Sequence, residues 1–353
     1  MKIPDATKTE IIGVAMSGGV DSSTAAWLLR EHGHTVAGFT MVHTDTPIDR
    51  AAVASARAVC DFLGIAHHVI DIRAVFRKTV IHYFCDAYFN GLTPNPCVVC
   101  NKHIKFGLLL EHIAGAGMHA MATGHYAIIE PGGNPESLLL KKGADPVKDQ
   151  TYFLYRLTQA ALRKAVFPNG TFTKNEIRAM AVDAGLPVSG TPESREICFA
   201  PADYGSFVAA HMPHRVKQGQ IVDEQGKLLG WHEGIHLYTV GQRRGLGVSA
   251  PEPLYVLRLE PDQNRVVVAP DHMLFQNSLS CRENSFVSGS TPKEQMLIHV
   301  KIRYNAPAVP ATLAPHGADE FHMAFHKSQR AVTPGQSAVF YTGDTVLGGG
   351  IIQ

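Results

Sequence analysis

An apolar run from Ile11 to Met16 ends directly on Ser17-Gly18-Gly19-Val20-Asp21-Ser22-Ser23, and an amphipathic stretch then carries the chain to Arg30 before Gly33. A strand that turns through glycines straight into a helix is the opening unit of a parallel sheet, because the chain must cross back before the next parallel strand can pair. The alternation continues. Thr35–Met41 reads as a second strand, Asp49–Leu63 as a helix closed by Gly64, and His67–Ile72 as a third strand. A helix over Ala74–Phe89 leads into the loop GLTPNPCVVC, another helix follows Lys102, and His119–Thr123 is a further strand. Thr173 and Glu176 form a capping-box pattern that opens a helix through Ala184, with Gly185 as its stop. After about Tyr204 the apolar period drops to two, in the runs Arg265–Ala269, His299–Tyr304, Glu320–His326 and Ser337–Tyr341. The expectation is an α/β parallel-sheet domain followed by β-rich units built as small barrels or sandwiches.

A length of 353 residues exceeds one ordinary compact core and predicts two or three domains. No apolar run reaches transmembrane length, and MKIPDATKTE lacks the apolar centre of a secretory signal, so the expectation is a cytoplasmic protein without a membrane partner. A net charge of +1 does not announce nucleic acid; an RNA partner would need basic residues gathered on one face. The 19 histidines show no HExxH-type spacing, and no metal site is expected from them.

The SGGVDSS loop has its own chemistry. Its glycines let the backbone approach a ligand, and the free N–H groups of the following helix favour an anion such as pyrophosphate. Ser17, Ser22 and Ser23 add hydroxyls, while Asp21 would repel phosphate unless a cation stands between them, which makes it a candidate Mg²⁺ contact. Unlike GxxxxGK[ST], the loop carries no lysine for a γ-phosphate.

Six cysteines are too few for a disulfide scaffold in a chain of this length. Cys97 and Cys100 form a CxxC at the foot of a helix expected to begin near Asn101; the helix dipole together with Lys102 and Lys105 predicts lowered thiol pKa values. Cys198 stands far away in SREICFAP, whereas Cys60, Cys85 and Cys281 read as inert core thiols. Cys97 and Cys100 could be half a zinc site, although no second CxxC or CxxH appears; they could be core thiols; or they could be chemical partners of Cys198, since a persulfide there needs a second thiolate to release its terminal sulfur.

The blocks SGGVDSS, TPNPCVVCNKHIKF, ATGHY, KDQTYFLY, the ICF around Cys198, YTVGQRRGLG and TPGQSAVFYTGDTVLGGGII together resemble the bacterial tRNA-specific 2-thiouridylases of the ATP pyrophosphatase superfamily, in family order from residue 15 to residue 352. That resemblance implies an adenine nucleotide α-hydrolase-like N-terminal domain over 1–204, a central β-rich domain over 205–275 and a C-terminal β-barrel over 276–353. It implies thiolation of the wobble uridine in Lys, Glu and Gln tRNAs, with adenylation of the base by ATP and Mg²⁺. By the same resemblance Ala15, Met16, Ser17, Gly18, Gly19, Val20, Asp21 and Ser22 hold ATP, with Met41 and Gly124 near the nucleotide. Cys100 is the implied nucleophile and Cys198 the persulfide carrier; either the persulfide attacks C2 directly or Cys100 attacks Cys198 to liberate hydrosulfide that does so, and both paths end with a Cys100–Cys198 disulfide, or with a thiol where an outside reductant intervenes. Asn95, Pro96 and Cys97 lie against the flipped-out base, and Lys148, Asp149 and Gln150, with Arg303 and Tyr304, contact tRNA. Some members carry Asp in place of Cys97, assigned there to acid/base work. The substitution leaves Cys97 as acid/base group, disulfide partner or neither, and makes Cys97, Cys100 and Cys198 a conceivable ligand set for an iron–sulfur cluster, the less favoured reading. A sulfur-donor protein, either a cysteine desulfurase or a relay protein, is implied as partner.

Arg215, Lys217, Arg243, Arg244, Lys301 and Arg303 are candidate phosphate-tracking residues, and His125 a candidate contact to nucleotide or base. Two alternatives stand beside this reading. A small-molecule AMP-forming ligase of the same superfamily explains SGGVDSS but not the separated cysteines; a zinc-bearing RNA-binding module leaves the phosphate loop idle.

Overall fold

A computed structural model describes residues 10–134, 136–188, 190, 197–200, 203–317 and 320–353. The first nine residues, read above for a secretory signal, and 194–196 and 201 of the SREICFAP segment lie outside the described residues.

The opening alternation folds as β1 (Ile11–Ala15), α1 (Val20–Glu31), β2 (Thr35–Val42), α2 (Pro47–Leu63) and β3 (Ala66–Asp71). One long helix then runs as α3 (Arg73–Phe76), a π-helical stretch (Arg77–Ile81) and α4 (His82–Phe89). A second runs as α5 (Pro96–Val99), a π-helical stretch (Cys100–Leu109) and α6 (Leu110–Gly115), before β4 (Ala120–Ala122). The hairpin β5 (Ala127–Pro131) and β6 (Leu138–Lys142), α7 (Gln159–Arg163), β7 (Ala165–Val166), α8 (Lys174–Asp183) and α9 (Tyr204–His211) complete this half. The five-stranded sheet β3-β2-β1-β4-β7 is parallel throughout. Its central strands are apolar on both faces, as a sheet sandwiched between helices requires. The capping box at Thr173 is present in full, with Glu176 reaching back.

The period-2 half folds as β8 (Gly219–Val222), β9 (Leu228–His232), β10 (Leu254–Glu260) and β11 (Arg265–Pro270), a small sheet in the order β10-β11-β8-β9. It continues as β12 (Phe275–Phe286), β13 (Met296–Lys301), β14 (Val309–His316), β15 (Glu320–Arg330), β16 (Ser337–Thr342) and β17 (Thr345–Ile352). These six antiparallel strands close into a barrel, since β12 pairs with both β15 and β17. The strand expected over His299–Tyr304 ends at Lys301, and Arg303 and Tyr304 fall in the turn beyond it.

The β5–β6 hairpin joins this barrel's sheet, because β6 pairs with β17 through Thr345–Lys141 and Val346–Leu140. Nothing in the local pattern of 127–142 announced that pairing. One apolar cluster accordingly spans both halves, with Phe39, Phe106 and Met121 on one side and Val339, Tyr341 and Val346 on the other. The hydroxyls of Tyr152 and Tyr155 reach Ser337 of the barrel at 2.8 and 3.2 Å. No helix among the described residues is long and apolar enough to cross a membrane.

Candidate active site

Strand order reverses at β1, with β2 and β3 on one side and β4 and β7 on the other, and a ligand crevice opens at such a switch point. The SGGVDSS loop leaves β1 at that position, tied to β2 by Met16 N–H donating to Phe39 O at 2.8 Å. Gly18 has φ +74°, and a Cβ there would meet Ala52 O at 2.6 Å, so only glycine fits against α2. Gly19 caps α1 without any side-chain bond, leaving the first-turn N–H groups open to an anion. The Ser22 and Ser23 hydroxyls bond back to Gly19 O at 3.2 and 2.9 Å and stiffen the turn, while Ser17 stays exposed. Gly124 lies against the Asp21–Ser22 backbone, where a Cβ would meet Ser22 N at 2.8 Å. Met41 is half-buried at the edge of two apolar clusters.

Asp21 is engaged within the protein through one carboxylate oxygen. Its Oδ1 accepts from Lys174 Nζ and from Tyr126 Oη, both at 2.6 Å. The cation beside Asp21 is therefore a lysine delivered from the start of α8. Asn169, fully buried, donates to Asp21 O at 2.9 Å and Gly124 O at 3.3 Å, holding loop and β4 end together. Sequence reasoning missed Lys174, Asn169 and Tyr126. One signal was available: a lysine in the first turn of a helix works against the dipole and needs another reason to be there.

The thiol-bearing helix begins earlier than expected. Asn95 caps it, its side chain accepting from Val98 N–H at 3.4 Å, and buried Pro96 is the first helical residue. Cys97 thus sits in the first turn and Cys100 opens the π-helical stretch. Cys100 and Ile197 pack on one apolar cluster with Phe76, Phe84 and Phe199, which brings the Cys198 segment to the Cys100 side of the fold. Cys97 and Cys198 are exposed and Cys100 is half-buried.

The expectation of lowered thiol pKa values is overturned. Crowding by surrounding protein pushes Cys100 up to about 12 and Cys198 up to about 11, and raises Cys97. Solvent reaches the exposed Cys97 and Cys198 and part of Cys100, while many surrounding protein atoms still desolvate a thiolate. A charge on Cys97 or Cys198 would raise Cys100 further, and only Lys105 pulls the other way. Lys102 does not take part; it lies near Arg156 and Glu283. No group of three His, Cys, Asp or Glu among the described residues is gathered closely enough to hold a metal ion. Cys60, Cys85 and Cys281 are buried, Cys85 within the apolar cluster on which Cys100 packs.

Two further polar pairs border the thiols. His125 is buried, with Nδ1 2.6 Å from Thr123 Oγ1 and Nε2 3.4 Å from Lys105 Nζ, so it contacts Lys105 within the protein. Asp49 accepts from Thr44 Oγ1 at 2.8 Å and lies 3.4 Å from His43 Nδ1. Burial alone would raise this carboxyl, but bonds from His43 and Thr44 hold it below its ordinary value, and its charge raises Cys198.

On the barrel side, the Asn95 side chain lies near the Tyr152 hydroxyl, and the Phe153 and Tyr304 rings pair at 4.4 Å. Lys301 lies 5.5 Å over the Tyr304 ring. Within the Lys148-Asp149-Gln150 segment, Asp149 is buried and accepts from Thr151 Oγ1 at 2.9 Å, and Gln150 Oε1 accepts from Tyr126 N–H at 3.1 Å. Lys148 is half-buried. The guanidinium of Arg303 is half-buried and donates to Ala331 O at 2.5 Å and Thr333 Oγ1 at 2.6 Å. Arg215 pairs with Asp86 at 2.5 Å, whereas Lys217, Arg243 and Arg244 are exposed.

Three family models match in sequence: a tRNA methyl transferase HUP domain over residues 10–202, a tRNA methyl transferase PRC-barrel domain over 205–270 and an aminomethyltransferase beta-barrel domain over 276–352. Among curated relatives, the tRNA-specific 2-thiouridylase MnmA 1 of Caldanaerobacter subterraneus subsp. tengcongensis is 45% identical over 96% of this chain and 97% of its own length. The tRNA-specific 2-thiouridylase MnmA of Syntrophomonas wolfei is 45% identical over 97% of this chain and 99% of its own. Among solved structures, the U34-tRNA thiolase NcsA from Methanococcus maripaludis with its 4Fe-4S cluster matches at TM-score 0.39 and 16% identity, over 60% of this chain and 70% of that one. An NH3-dependent NAD synthetase from Campylobacter jejuni matches at TM-score 0.32 and 18% identity, over 51% of this chain and 66% of that one. Likeness at those scores carries no argument about activity.

Proposed function

The chain belongs to the tRNA-specific 2-thiouridylase family, and from that premise we propose that it adenylates the wobble uridine of transfer RNA with ATP and replaces the C2 oxygen by sulfur carried on Cys198. The observation that carries this reading is the convergence on one side of the fold of an uncapped, glycine-lined helix start at the sheet's switch point and the Cys100 and Cys198 segments packed on a common apolar cluster.

The C2 oxygen of uridine is a poor leaving group until it bears AMP. The loop amides at Gly18–Ser22 and the Lys174 ammonium are suited to take the charge of the departing pyrophosphate. Mg²⁺ would travel on the nucleotide's phosphates. Asp21 is held at Oδ1 by Lys174 and Tyr126, its second oxygen would be the one to face the ion, and no step is routed through it. Nor is any step routed through an iron–sulfur cluster.

The base must leave the anticodon stack to be reached, and the exposed Cys97 edge beside Asn95 and the Tyr304 ring is a fitting receptor for it. Cys198 receives a sulfur atom as a persulfide from a sulfur-donor protein, either a cysteine desulfurase or a relay. The Cys100 thiolate then attacks Cys198 Sγ; the bond from Sγ to the terminal sulfur breaks, hydrosulfide departs with the electron pair, and a Cys100–Cys198 disulfide forms. Hydrosulfide adds at C2, AMP leaves and 2-thiouridine results. A thiol reductant restores the two cysteines. Residues 1–204 act as the catalytic unit and meet tRNA at Lys148, with 205–275 and the barrel over 276–353 holding it through the exposed Arg243 and Arg244 and through Arg303 and Tyr304.

The test is incubation with ATP and unmodified tRNA, reading pyrophosphate and tRNA-bound sulfur together. Pyrophosphate released only when tRNA is present, with sulfur appearing in the wobble nucleoside, is the expected result. Pyrophosphate released without tRNA would instead select a small-molecule ligase.

A further inference from the structure

The thiol-bearing helix departs from α-helical winding where the sulfur chemistry lies. Over Cys100–Leu109 its bonding is π-helical, as in Leu110 N–H donating to Lys105 O five residues back. Residues five apart point to different sides of an α-helix; with i→i+5 bonding they come to the same side, and Lys105 is brought round to Cys100. Lys105 Nζ stands 3.4 Å from His125 Nε2. An ammonium has no lone pair, so Nε2 must accept, which leaves the ring proton on Nδ1 facing Thr123 Oγ1 at 2.6 Å. Burial and the neighbouring Lys105 hold His125 well below its ordinary range, and the ring is neutral. A buried neutral imidazole that can only accept at Nε2 is a fixed cradle for one ammonium.

The charge held there reaches every thiol of the crevice. Among the described residues Lys105 is the one cation that stabilises a thiolate at Cys97, Cys100 and Cys198 alike. The other charged or titratable groups facing the thiols work against ionisation: Asp49 faces Cys198, the thiols oppose one another, and the Tyr304 phenol lies near Cys97.

We propose that Lys105, oriented by His125, is the positive charge at which sulfur changes hands, stabilising first the attacking Cys100 thiolate and then the hydrosulfide expelled from Cys198. This rests on the sulfur-transfer reading above. The single negative charge passes from Cys100 Sγ to the departing sulfur as the new S–S bond forms and the persulfide bond breaks. A fixed cation whose field reaches both sulfurs stabilises that charge at both ends of its path. His125 acts through Lys105 and is a positioning residue.

The full-length protein, reduced and free of nucleotide, is treated with iodoacetamide at pH 8 and pH 9, and the alkylation rate at each cysteine is read by peptide mass spectrometry in wild type, Lys105→Met, Lys105→Gln and Lys105→Arg. Below its midpoint a thiol reacts in proportion to its thiolate fraction, so a shift of one unit is read as about a tenfold change in rate. Lys105→Met and Lys105→Gln should each slow Cys100 about tenfold at both pH values, with Lys105→Arg within about threefold of wild type. Two neutral variants guard against one failing to fold. A change of less than threefold in both, or an arginine variant as slow as the neutral ones, overturns the proposal. Alkylation needs neither ATP nor tRNA, so this outcome is separate from the success or failure of the thiolation assay.

Discussion

Lys174 and Asp21 stand 153 positions apart in the chain and meet at 2.6 Å beside the phosphate loop. Lys174 is buried, and its removal would strip the loop of the side-chain cation paired with it while leaving the Asp21 carboxylate facing any incoming phosphate. Lys174→Met should lower tRNA-dependent pyrophosphate release about 100-fold, the scale for loss of one preorganised charge donor, and a near-normal rate would remove Lys174 from the site. The thiols make a different kind of statement. An unfolded cysteine ionises near 9.0, whereas folded Cys100 keeps its proton to about 12. Above pH 9 the unfolded chain binds fewer protons than the folded one, so the contribution of Cys100 is whole below pH 9 and drains away as pH rises toward about 12. The urea midpoint should therefore fall between pH 8 and pH 10, and fall less steeply in Cys100→Ser; parallel declines would assign the alkaline loss to other groups.

At the scale of elements, the loop that presents Asn95, Pro96 and Cys97 is held from the barrel. Thr93 N–H donates to Pro334 O at 2.8 Å, and Gln336 Nε2 donates to Thr93 O at 2.9 Å. Gly335 has φ +88°, and a Cβ there would meet Thr93 N at 2.8 Å and Leu92 Cβ at 2.9 Å. Gly335→Ala should cost about 1–3 kcal/mol of stability and reduce tRNA thiolation more than it weakens ATP binding, since it displaces the base-side loop and not SGGVDSS. Equal losses in both would place the damage elsewhere. The helix cap behaves more simply: Asn95→Ala removes the acceptor for Val98 N–H and should cost about 1 kcal/mol, read as a shift in the denaturation midpoint. The two π-helical stretches, Arg77–Ile81 and Cys100–Leu109, left no mark in the apolar periodicity, because a wide turn changes which side a residue faces without changing which residues are apolar.

For the whole molecule, the contacts that build the crevice also weld its halves together. The β5–β6 hairpin pairs with β17, and Tyr152 and Tyr155 bury their rings against the barrel while bonding to Ser337. Calorimetry should show the parallel-sheet half and the barrel unfolding in a single transition; two well-separated peaks would show that the shared cluster couples them only weakly. Much could be read from the chain without its fold. The phosphate loop, the helix stops at Gly64 and Gly185, the capping box at Thr173 and the switch to period-2 strands all depend on neighbours within a few positions, and each element formed close to where its pattern lay. What lay beyond reach was every contact between distant segments: Lys174 with Asp21, Lys105 with His125, the β6–β17 pairing, and the crowding that drives the thiols up where dipole and nearby lysines pointed down. Local pattern governs backbone conformation because the forces that set it act over one turn or one strand, whereas charge and solvation at a site depend on whatever the fold packs around it, and only the assembled tertiary structure decides that.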